Sequence, residues 1–289
     1  MEQISLHLRR VLKREVSSVT PVGGGSISTT VKATLDNGDS VFAKVSPQQK
    51  DMFLKEANGL RELTKSEAIR IPKVLFADEE ILVLEYLPSV TPSSRKKFFE
   101  EFGRQFARLH RSSSASFGFT EDNYIGSTPQ QNTPCTSSWK DFYLTHRLQY
   151  QFRLAEKNGY ADARLRGLYG LLERRIDDLL PGDGELPALL HGDLWGGNYL
   201  CLEGDVPVII DPAVYYGHRE ADIAMTMLFG GFDDSFYRAY NNAYPLHPGW
   251  QRRMELYKLY HLFNHMNLFG EGYYGQVTRT MAELTKGKI

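Results

Sequence analysis

The stretch His191-Gly192-Asp193-Leu194-Trp195-Gly196-Gly197-Asn198 is followed by the apolar run Val208-Ile209-Ile210 and then by Asp211-Pro212. Because four residues separate Asp193 from Asn198, one tight loop can turn both side chains into the same cleft. The two glycines before Asn198 let the backbone bend there at little steric cost. Leu189-Leu190 and the apolar run predict short buried strands that hold the loop from both sides. The alternative is a surface turn that happens to contain Asp and Asn, which are common in turns.

The pattern H-x-D-x-x-x-x-N, then an apolar strand and Asp, is the layout of a loop that transfers phosphoryl groups. Such a transfer needs a carboxylate aimed at the attacking hydroxyl and further groups that hold magnesium on the nucleotide. Asp193 is the candidate catalytic residue, and Asn198 and Asp211 are the candidate metal ligands. ATP and Mg²⁺ are therefore the expected cofactors. His191 and Asp222 are expected to brace the loop, and neither is expected to act as the base.

Lys44 is the candidate residue for pairing with the nucleotide phosphates. It lies in Val41-Phe42-Ala43-Lys44-Val45, and Ala-Lys in such a strand is typical of the kinase strand lysine. A buried ammonium needs a partner because an unpaired one is costly. Glu56 on the following predicted helix is the natural partner, with Glu62 and Glu67 as weaker alternatives. The competing interpretation is a lysine on an edge strand that faces water.

Two further segments of the first third are candidates for binding the nucleotide. The cluster Gly23, Gly24, Gly25 and Ser26 lies between predicted strands, and its N–H groups could approach phosphate oxygens closely. Glu85-Tyr86-Leu87 ends a predicted strand, where the backbone of Glu85 and Leu87 could meet an adenine edge. Backbone groups would make that contact, so the identity of these side chains says little.

Strands dominate the first third of the sequence and helices dominate the rest, which predicts an α+β fold with two lobes. Residues 1–87 would form a lobe with the nucleotide-binding sheet and helix, and residues 88–289 a lobe with the catalytic loop and substrate site. A cleft between lobes is a natural place for a nucleotide.

Hydrophobic periodicity and turn residues set the expected bounds of the elements. Besides the strands that flank the catalytic loop, the predicted strands are 29–35, 40–45, 72–77 and 81–86. The predicted helices are 3–13, 50–65, an aromatic-rich helix that begins near Ser94, 139–157, 161–180, 220–230, 233–243 and 248–267. Residues 112–138, rich in Ser, Thr, Pro and Gly, predict a long ordered loop.

The composition is that of an ordinary globular chain, with 42% hydrophobic and 24% charged residues among 289. A formal net charge of −1 gives no reason to expect a nucleic-acid partner. We expect no membrane partner, because no apolar run approaches the length of a membrane span. Cys135 and Cys201 lie far apart and fit no metal spacing, which favours a reducing cytoplasm over a disulfide. A monomer or homodimer is expected.

Several further segments carry a resemblance to one known family. They are Phe117-Gly118-Phe119, Asp122-Asn123-Tyr124-Ile125-Gly126, Pro129-Gln130-Gln131-Asn132, Asp211-Pro212-Ala213-Val214-Tyr215-Tyr216-Gly217-His218-Arg219-Glu220-Ala221-Asp222, Leu259-Tyr260-His261-Leu262-Phe263-Asn264-His265 and Asn267-Leu268-Phe269-Gly270. With the loop at 191–198 they resemble the fructosamine kinase family, from Gly23 to Tyr273. Trp195 and the Asn-Tyr-Ile-Gly segment are much more specific than the loop pattern that all kinases share.

The resemblance implies an ATP-dependent kinase with a protein-kinase-like fold, shared with aminoglycoside phosphotransferases and choline kinases. Such enzymes phosphorylate the 3-hydroxyl of the sugar of small-molecule or protein-bound ketoamines, which makes the adduct unstable and frees the amine. Members of the bacterial type look mainly like ribulosamine or erythrulosamine 3-kinases, and some accept fructosamines.

The resemblance also implies the role of each site residue. Asp193 matches the general base, Asn198 and Asp211 the magnesium ligands, and Lys44 with Glu56 the phosphate-pairing lysine and its partner. It further implies that Trp195 is a substrate-binding residue whose indole stacks on the sugar adduct. The alternative for Trp195 is plain core packing beneath the loop.

Two departures from the family and kinase patterns bear on regulation. Ser26 stands where several relatives have a cysteine, so a thiol-based redox response is not expected there. Pro212-Ala213 replaces the Phe-Gly that follows the metal-binding Asp of protein kinases, which puts regulation by a Phe switch in doubt.

Competing functions remain open at this point. The first is another small-molecule kinase of the same fold, acting on an aminoglycoside, choline or a homoserine-like alcohol. The second is a non-catalytic nucleotide-binding protein. A kinase for protein substrates fits less well, since no activation segment is recognisable between Asp211 and Glu220.

Overall fold

The computed structural model describes residues 1–23, 28–45, 51–180 and 184–286. Its first part is a five-stranded antiparallel sheet with the strand order β1-β2-β3-β5-β4. The strands are β1 (Val16–Pro21), β2 (Thr29–Leu35), β3 (Ser40–Val45), β4 (Val74–Ala77) and β5 (Ile81–Glu85). The predicted strands 29–35 and 40–45 are confirmed as β2 and β3, which form a hairpin that turns at Asp36-Asn37-Gly38-Asp39 with Gly38 at φ 86°.

Each face of this sheet is covered by one helix. Helix α1 (Glu2–Leu12) places Leu8 in a cluster with Ile81 and Val83 of β5. Leu82 and Leu84 point to the other face and join the main core with helix α2 (Met52–Thr64). Successive side chains of a strand alternate between faces. The same alternation puts Lys44 of β3, which pairs with Leu82, on the face that α2 covers.

Helices form most of the remaining chain. They are α3 (Arg95–Leu109), α4 (Trp139–Phe142), α5 (Tyr150–Lys157), α6 (Ala163–Arg174), α7 (Ile176–Leu179), α8 (Glu220–Leu228), α9 (Asp234–Ala243), α10 (Trp250–Phe269) and α11 (Tyr274–Thr285). A π-helical segment, Tyr143–Gln149, joins α4 to α5, and a 3-10 turn, Glu271–Tyr273, precedes α11. Ser94 caps α3 by accepting the N–H of Lys97 at 3.4 Å. The predicted α+β class is therefore confirmed, while the division at residue 87 stays a prediction.

In the described part of the chain, three small two-stranded sheets lie among the helices. They pair β6 (Asn123–Ile125) with β7 (Thr128–Gln130), β8 (Ala188–Leu190) with β11 (Tyr215–Gly217), and β9 (Tyr199–Leu202) with β10 (Val206–Ile209). The predicted loop 112–138 is thus corrected, since it contains the β6–β7 hairpin. The last predicted helix is 248–267, but a further helix, α11, follows and packs on α10 and α6.

The described residues bear on two predictions, one about a disulfide and one about membrane spans. Cys135 and Cys201, both within the described residues, are free thiols, which agrees with the expected absence of a disulfide. Among the helices of the described residues, none is long and apolar enough to cross a membrane.

Candidate active site

The loop at 191–198 is held between strands on both sides, as its apolar flanks predict. It follows β8, leads into β9, and packs against the segment that follows β10. The N–H of Ala213 donates to the carbonyl of His191 at 2.8 Å, and the N–H of Ile210 donates to the carbonyl of Asn198 at 3.0 Å. These bonds fix the loop to the segment that carries Asp211.

Gly192 occupies a position that no larger residue could take. Its φ is +83°, which L-residues with a side chain rarely adopt. A Cβ atom there would lie 2.0 Å from the carbonyl oxygen of Ala213, well inside contact distance. The glycine between His191 and Asp193 therefore permits the close approach of the loop to the following segment.

Asp222 braces the catalytic loop, as predicted. Its carboxylate, 1% exposed, accepts the N–H of His191 at 2.7 Å and of Gly192 at 2.8 Å. It also lies 3.2 Å from Nε2 of His110, whose Nδ1 lies 2.7 Å from the hydroxyl of Tyr240. Burial opposes the charged form, but the His110 contact and the other neighbours outweigh it and lower the pKa of Asp222.

His191 acts as a brace in this geometry. Its Nε2 donates to the carbonyl of Ile210 at 2.8 Å, and its Nδ1 accepts the N–H of Asp193 at 3.2 Å. Both ring nitrogens are engaged within the loop, and burial lowers the pKa of His191. The imidazole is therefore neutral and structural.

Asp193, Asn198 and Asp211 come together as the sequence predicts. The Nδ2 of Asn198 donates to the carbonyl of Asp193 at 2.8 Å, and it lies 3.4 Å from the carboxylate of Asp193. Asp211 has a φ of 55°, in the left-handed region. Burial, together with the carboxylates of Asp211 and Asp222, raises the pKa of Asp193 well above its usual range. A raised pKa makes a carboxylate a better proton acceptor near neutral pH.

Lys44 is buried on the central strand β3 and is held by two carboxylates. Its Nζ donates to Oε1 of Glu56 at 2.7 Å and contacts Oδ1 of Asp211. Burial disfavours the charged lysine, but Asp211 and Glu56 outweigh this and raise the pKa of Lys44. The edge-strand alternative is wrong, since Lys44 is 7% exposed. Glu62, a weaker candidate partner, instead accepts a hydrogen bond from Tyr216 at 2.9 Å.

Two adjoining cavities share Lys44 and Asp211. One, of about 170 Å³, is lined by Lys44, Glu56, Asp193, Trp195, Asn198 and Asp211, among others. The other, of about 280 Å³, is more apolar and is lined by Gly23, Phe42, Leu84, Glu85, Leu87, Leu200 and Ile210, among others. The structure thus brings the described candidate residues to two connected spaces. Gly24, Gly25 and Ser26 lie outside the described residues.

Trp195 is 40% exposed and borders the smaller cavity. Its ring packs edge-on against Phe229, with 6.3 Å between the ring centroids. A Cβ at Gly197 would lie 2.5 Å from the indole, so that glycine lets the ring lie across the loop. The exposure contradicts the alternative in which Trp195 is a core residue.

The donor set of the loop fits a magnesium ion that arrives with a nucleotide. Mg²⁺ prefers oxygen ligands and is usually bound by one or two carboxylates together with substrate phosphates. Asp211 supplies a carboxylate and Asn198 an amide oxygen, both on the cavity wall. Within 1–23, 28–45, 51–180 and 184–286, no group of three or more His, Cys, Asp or Glu side chains could hold a metal ion.

The fold and the site define a protein-kinase-like phosphotransferase. A solved aminoglycoside phosphotransferase with AMP-PNP and hygromycin B matches with a TM-score of 0.66 at 16% identity, covering 98% of each chain. At that identity the likeness shows the fold alone. The fructosamine kinase family model matches residues 1–287, and this chain belongs to that family.

Individual relatives agree with the family. A "Probable ketoamine kinase" of Synechocystis sp. is 40% identical over 91% of this chain and 88% of its own length. A chloroplastic protein-ribulosamine 3-kinase of Arabidopsis thaliana is 38% identical over 90% of this chain and 80% of its own. A Thermobifida fusca protein whose crystal structure carries the name fructosamine-3-kinase has a TM-score of 0.88 and 35% identity, covering 99% and 100% of the two chains. The resemblance drawn from the motifs is confirmed.

Proposed function

We propose that this protein is an ATP-dependent kinase that phosphorylates the 3-hydroxyl of the sugar of ketoamines, as a step in protein deglycation. The substrates would be ribulosamine, erythrulosamine or fructosamine adducts, small or protein-bound. The observation that carries the proposal is the single cavity lined by Asp193, Asn198, Asp211, Lys44 and the exposed Trp195. The names of the relatives, ketoamine kinase and protein-ribulosamine 3-kinase, support the substrate class.

The larger cavity suits the nucleotide base and the shared wall suits its phosphates. Phe42, Leu84 and Ile210 supply apolar faces for adenine. The carboxylate of Glu85 is held by Arg70 at 2.6 Å, and the N–H of Glu85 donates to the carbonyl of Lys73 at 2.9 Å. Hydrogen bonds to the adenine edge would therefore involve neither the N–H nor the carboxylate of Glu85, which leaves the carbonyl of Glu85 and the backbone of Leu87 as the candidates.

The chemistry follows from the positions of five side chains. Lys44, held by Glu56, would neutralise charge on the nucleotide phosphates. Asn198 and Asp211 would hold Mg²⁺, which when bound neutralises charge that develops on the phosphoryl group. Asp193 would orient the sugar hydroxyl and accept its proton as the oxygen bonds to the γ-phosphorus and the bond to the leaving ADP breaks.

ADP release in the presence of Mg-ATP and a substrate panel tests this proposal. The panel holds ribulosamine, erythrulosamine and fructosamine adducts, with an aminoglycoside and choline as the competing acceptors. We expect ADP with the ketoamines alone, and the relative rates rank the sugars. ADP formed only with the aminoglycoside or choline would keep the mechanism and overturn the substrate.

Trp195→Ala should weaken the ketoamine and leave the nucleotide unaffected. An aromatic face can cover apolar sugar surface and attract a nearby ammonium. We expect KM for the ketoamine to rise about tenfold, equivalent to about 1.4 kcal/mol, with KM for ATP and the thermal midpoint near wild type. Leu171→Ala, which removes a side chain of similar exposure (42%) on α6, is the matched control. An unchanged ketoamine KM would remove Trp195 from the substrate site.

The predicted location and assembly are kept as part of this proposal. The cytoplasm would provide the reducing conditions that two free thiols favour. A monomer or homodimer without a nucleic-acid or membrane partner would suffice for a small-molecule kinase.

A further inference from the structure

We propose that Glu121 is a positioning residue for phosphoryl transfer. Through Lys55 and Asn58 it fixes helix α2, so that Glu56 on that helix stays paired with Lys44. Glu121 lies two residues before the Asn-Tyr-Ile-Gly motif of β6, which the catalytic roles leave unused. The inference rests on the proposed function, since Lys44 is taken to bind the nucleotide phosphates.

Glu121 makes a two-point attachment to α2. Its Oε2 accepts from Nζ of Lys55 at 2.5 Å, and its Oε1 accepts from Nδ2 of Asn58 at 2.8 Å. Lys55 and Asn58 lie three positions apart, so they share one face of the helix. The Lys55 and Glu121 side chains are 22% and 26% exposed, which leaves their attraction less screened than that of a surface pair. Two contacts on one face oppose rotation of the helix about its axis.

The two residues that follow Glu121 are anchored, one to residues 132 and 133 and the other to the segment that follows Asp211. The carboxylate of the adjacent Asp122 accepts the N–H groups of Asn132 and Thr133 at 2.8 and 2.9 Å. The side chain of Asn123 donates to the carbonyl of Val214 at 2.7 Å, in a buried contact. The base of the hairpin is therefore tied to the same stretch of chain that carries the metal-binding carboxylate.

Contacts at both ends of α2 also fix its position. The hydroxyl of Tyr124 donates to Oδ1 of Asp51, the residue that precedes α2, at 2.6 Å. Near the other end, the hydroxyl of Tyr216 donates to Oε1 of Glu62 at 2.9 Å. The region beyond residue 88 thus holds α2 along its length, and the Glu121 contacts lie at the turn that carries Glu56.

These contacts close a ring. Val214, three residues after Asp211, contacts the β6 hairpin, and Glu121 beside that hairpin contacts α2. Helix α2 carries Glu56, which pairs with Lys44, and Lys44 in turn contacts Asp211. Protein kinases set the position of the corresponding helix through an activation segment. Here the short stretch between Asp211 and Glu220 leaves no room for one. The hairpin performs that task, which keeps the Lys44–Glu56 pair assembled before nucleotide binds.

Lys55 also borders the smaller cavity, so it could contact a phosphate directly. Exchanging the charges of Lys55 and Glu121 distinguishes such a contact from positioning of α2. The full-length variants are Glu121→Ala, Lys55→Ala and the double variant Lys55→Glu with Glu121→Lys. Mg-ATP affinity is measured by calorimetry without ketoamine, and KM for both substrates by ADP release. The matched control is Glu255→Ala on α10, where the carboxylate is 42% exposed and pairs with Lys258 at 2.8 Å.

We expect Glu121→Ala and Lys55→Ala each to weaken Mg-ATP about tenfold, since small displacements of positioned groups are costly. KM for the ketoamine and the thermal midpoint should stay near wild type, as should all values for Glu255→Ala. The double variant should recover part of the lost Mg-ATP affinity and bind clearly better than Lys55→Ala, because the pair is restored with its signs exchanged, although a lysine at 121 cannot accept the hydrogen bond from Nδ2 of Asn58.

Two results would overturn the inference. Wild-type nucleotide affinity in Glu121→Ala would show that α2 needs no such support. A double variant as weak as Lys55→Ala would assign Lys55 to direct phosphate contact instead. Should Glu121→Ala fail to fold, Glu121→Gln is measured in its place. It keeps the hydrogen bond to Asn58 and removes the charge that attracts Lys55, so wild-type nucleotide affinity in this variant would show that α2 does not need the ion pair. Absence of turnover with every sugar would overturn the substrate proposal and not this one, because affinity is measured without ketoamine.

Discussion

Asp193→Asn should lower kcat by about 10²–10⁴-fold, the usual contribution of a general base, while Mg-ATP still binds with near wild-type affinity. The amide cannot accept the proton of the sugar hydroxyl, yet it has nearly the shape of the carboxylate. Asn198 is the hydrogen-bond partner of this carboxylate, and that contact is long, at 3.4 Å. The substitution therefore removes the proton acceptor and leaves the loop in place.

The measurement is ADP release at saturating ketoamine, together with Mg-ATP affinity by calorimetry. Asp177→Asn is the matched control, because it neutralises an exposed carboxylate that pairs with Lys140 and lines neither cavity. Its kcat should equal that of wild type. A kcat for Asp193→Asn within about tenfold of wild type would assign the proton to another acceptor, since an interaction made only in the transition state must appear in kcat.

The parts of the site that were predictable from the sequence are those that local rules fix. The spacing of Asp193 and Asn198 works within one loop. Alternation along β3 places Lys44 on the face toward α2. The prediction that Glu56, and not Glu62, is the partner of Lys44 also follows from position along one helix. The structure agrees, since Lys44 pairs with Glu56 and Glu62 accepts a hydrogen bond from Tyr216.

What escaped prediction depends on contacts between distant parts of the chain. The three-residue strands β6 and β11 carry too little pattern to be recognised, and they exist because they pair with β7 and β8. His110, which lies 3.2 Å from Asp222 but 112 positions away in the sequence, gave no local signal. Glu121 was missed for the same reason, since it is 66 positions from Lys55.

Asp222→Ala should lower the free energy of unfolding by at least about 3 kcal/mol, because each buried polar group left without a partner costs about 1–3 kcal/mol. The variant leaves the N–H groups of His191 and Gly192 without their acceptor, and His110 without its carboxylate. The loop would then be free to shift, so kcat should fall as well. Urea unfolding followed by fluorescence measures the first effect and ADP release the second.

The pH dependence of the loss in unfolding free energy identifies the cause of that loss. The pKa of Asp222 is lowered in the folded protein, whereas an Asp in the unfolded chain titrates near about 3.9. The stability that the carboxylate contributes is therefore fully present above about pH 4 and disappears as the pH falls through the folded pKa. The difference between wild type and Asp222→Ala should be constant near neutral pH and narrow below about pH 4.

Asp177→Ala, which removes an exposed carboxylate, should unfold like wild type across the whole pH range. A difference for Asp222→Ala that does not narrow in acid would mean that lost packing, and not the lost charge, destabilises the variant. A stability equal to that of wild type would mean that water replaces the carboxylate. Asp222 would then hold the loop for catalysis alone, and only kcat would fall.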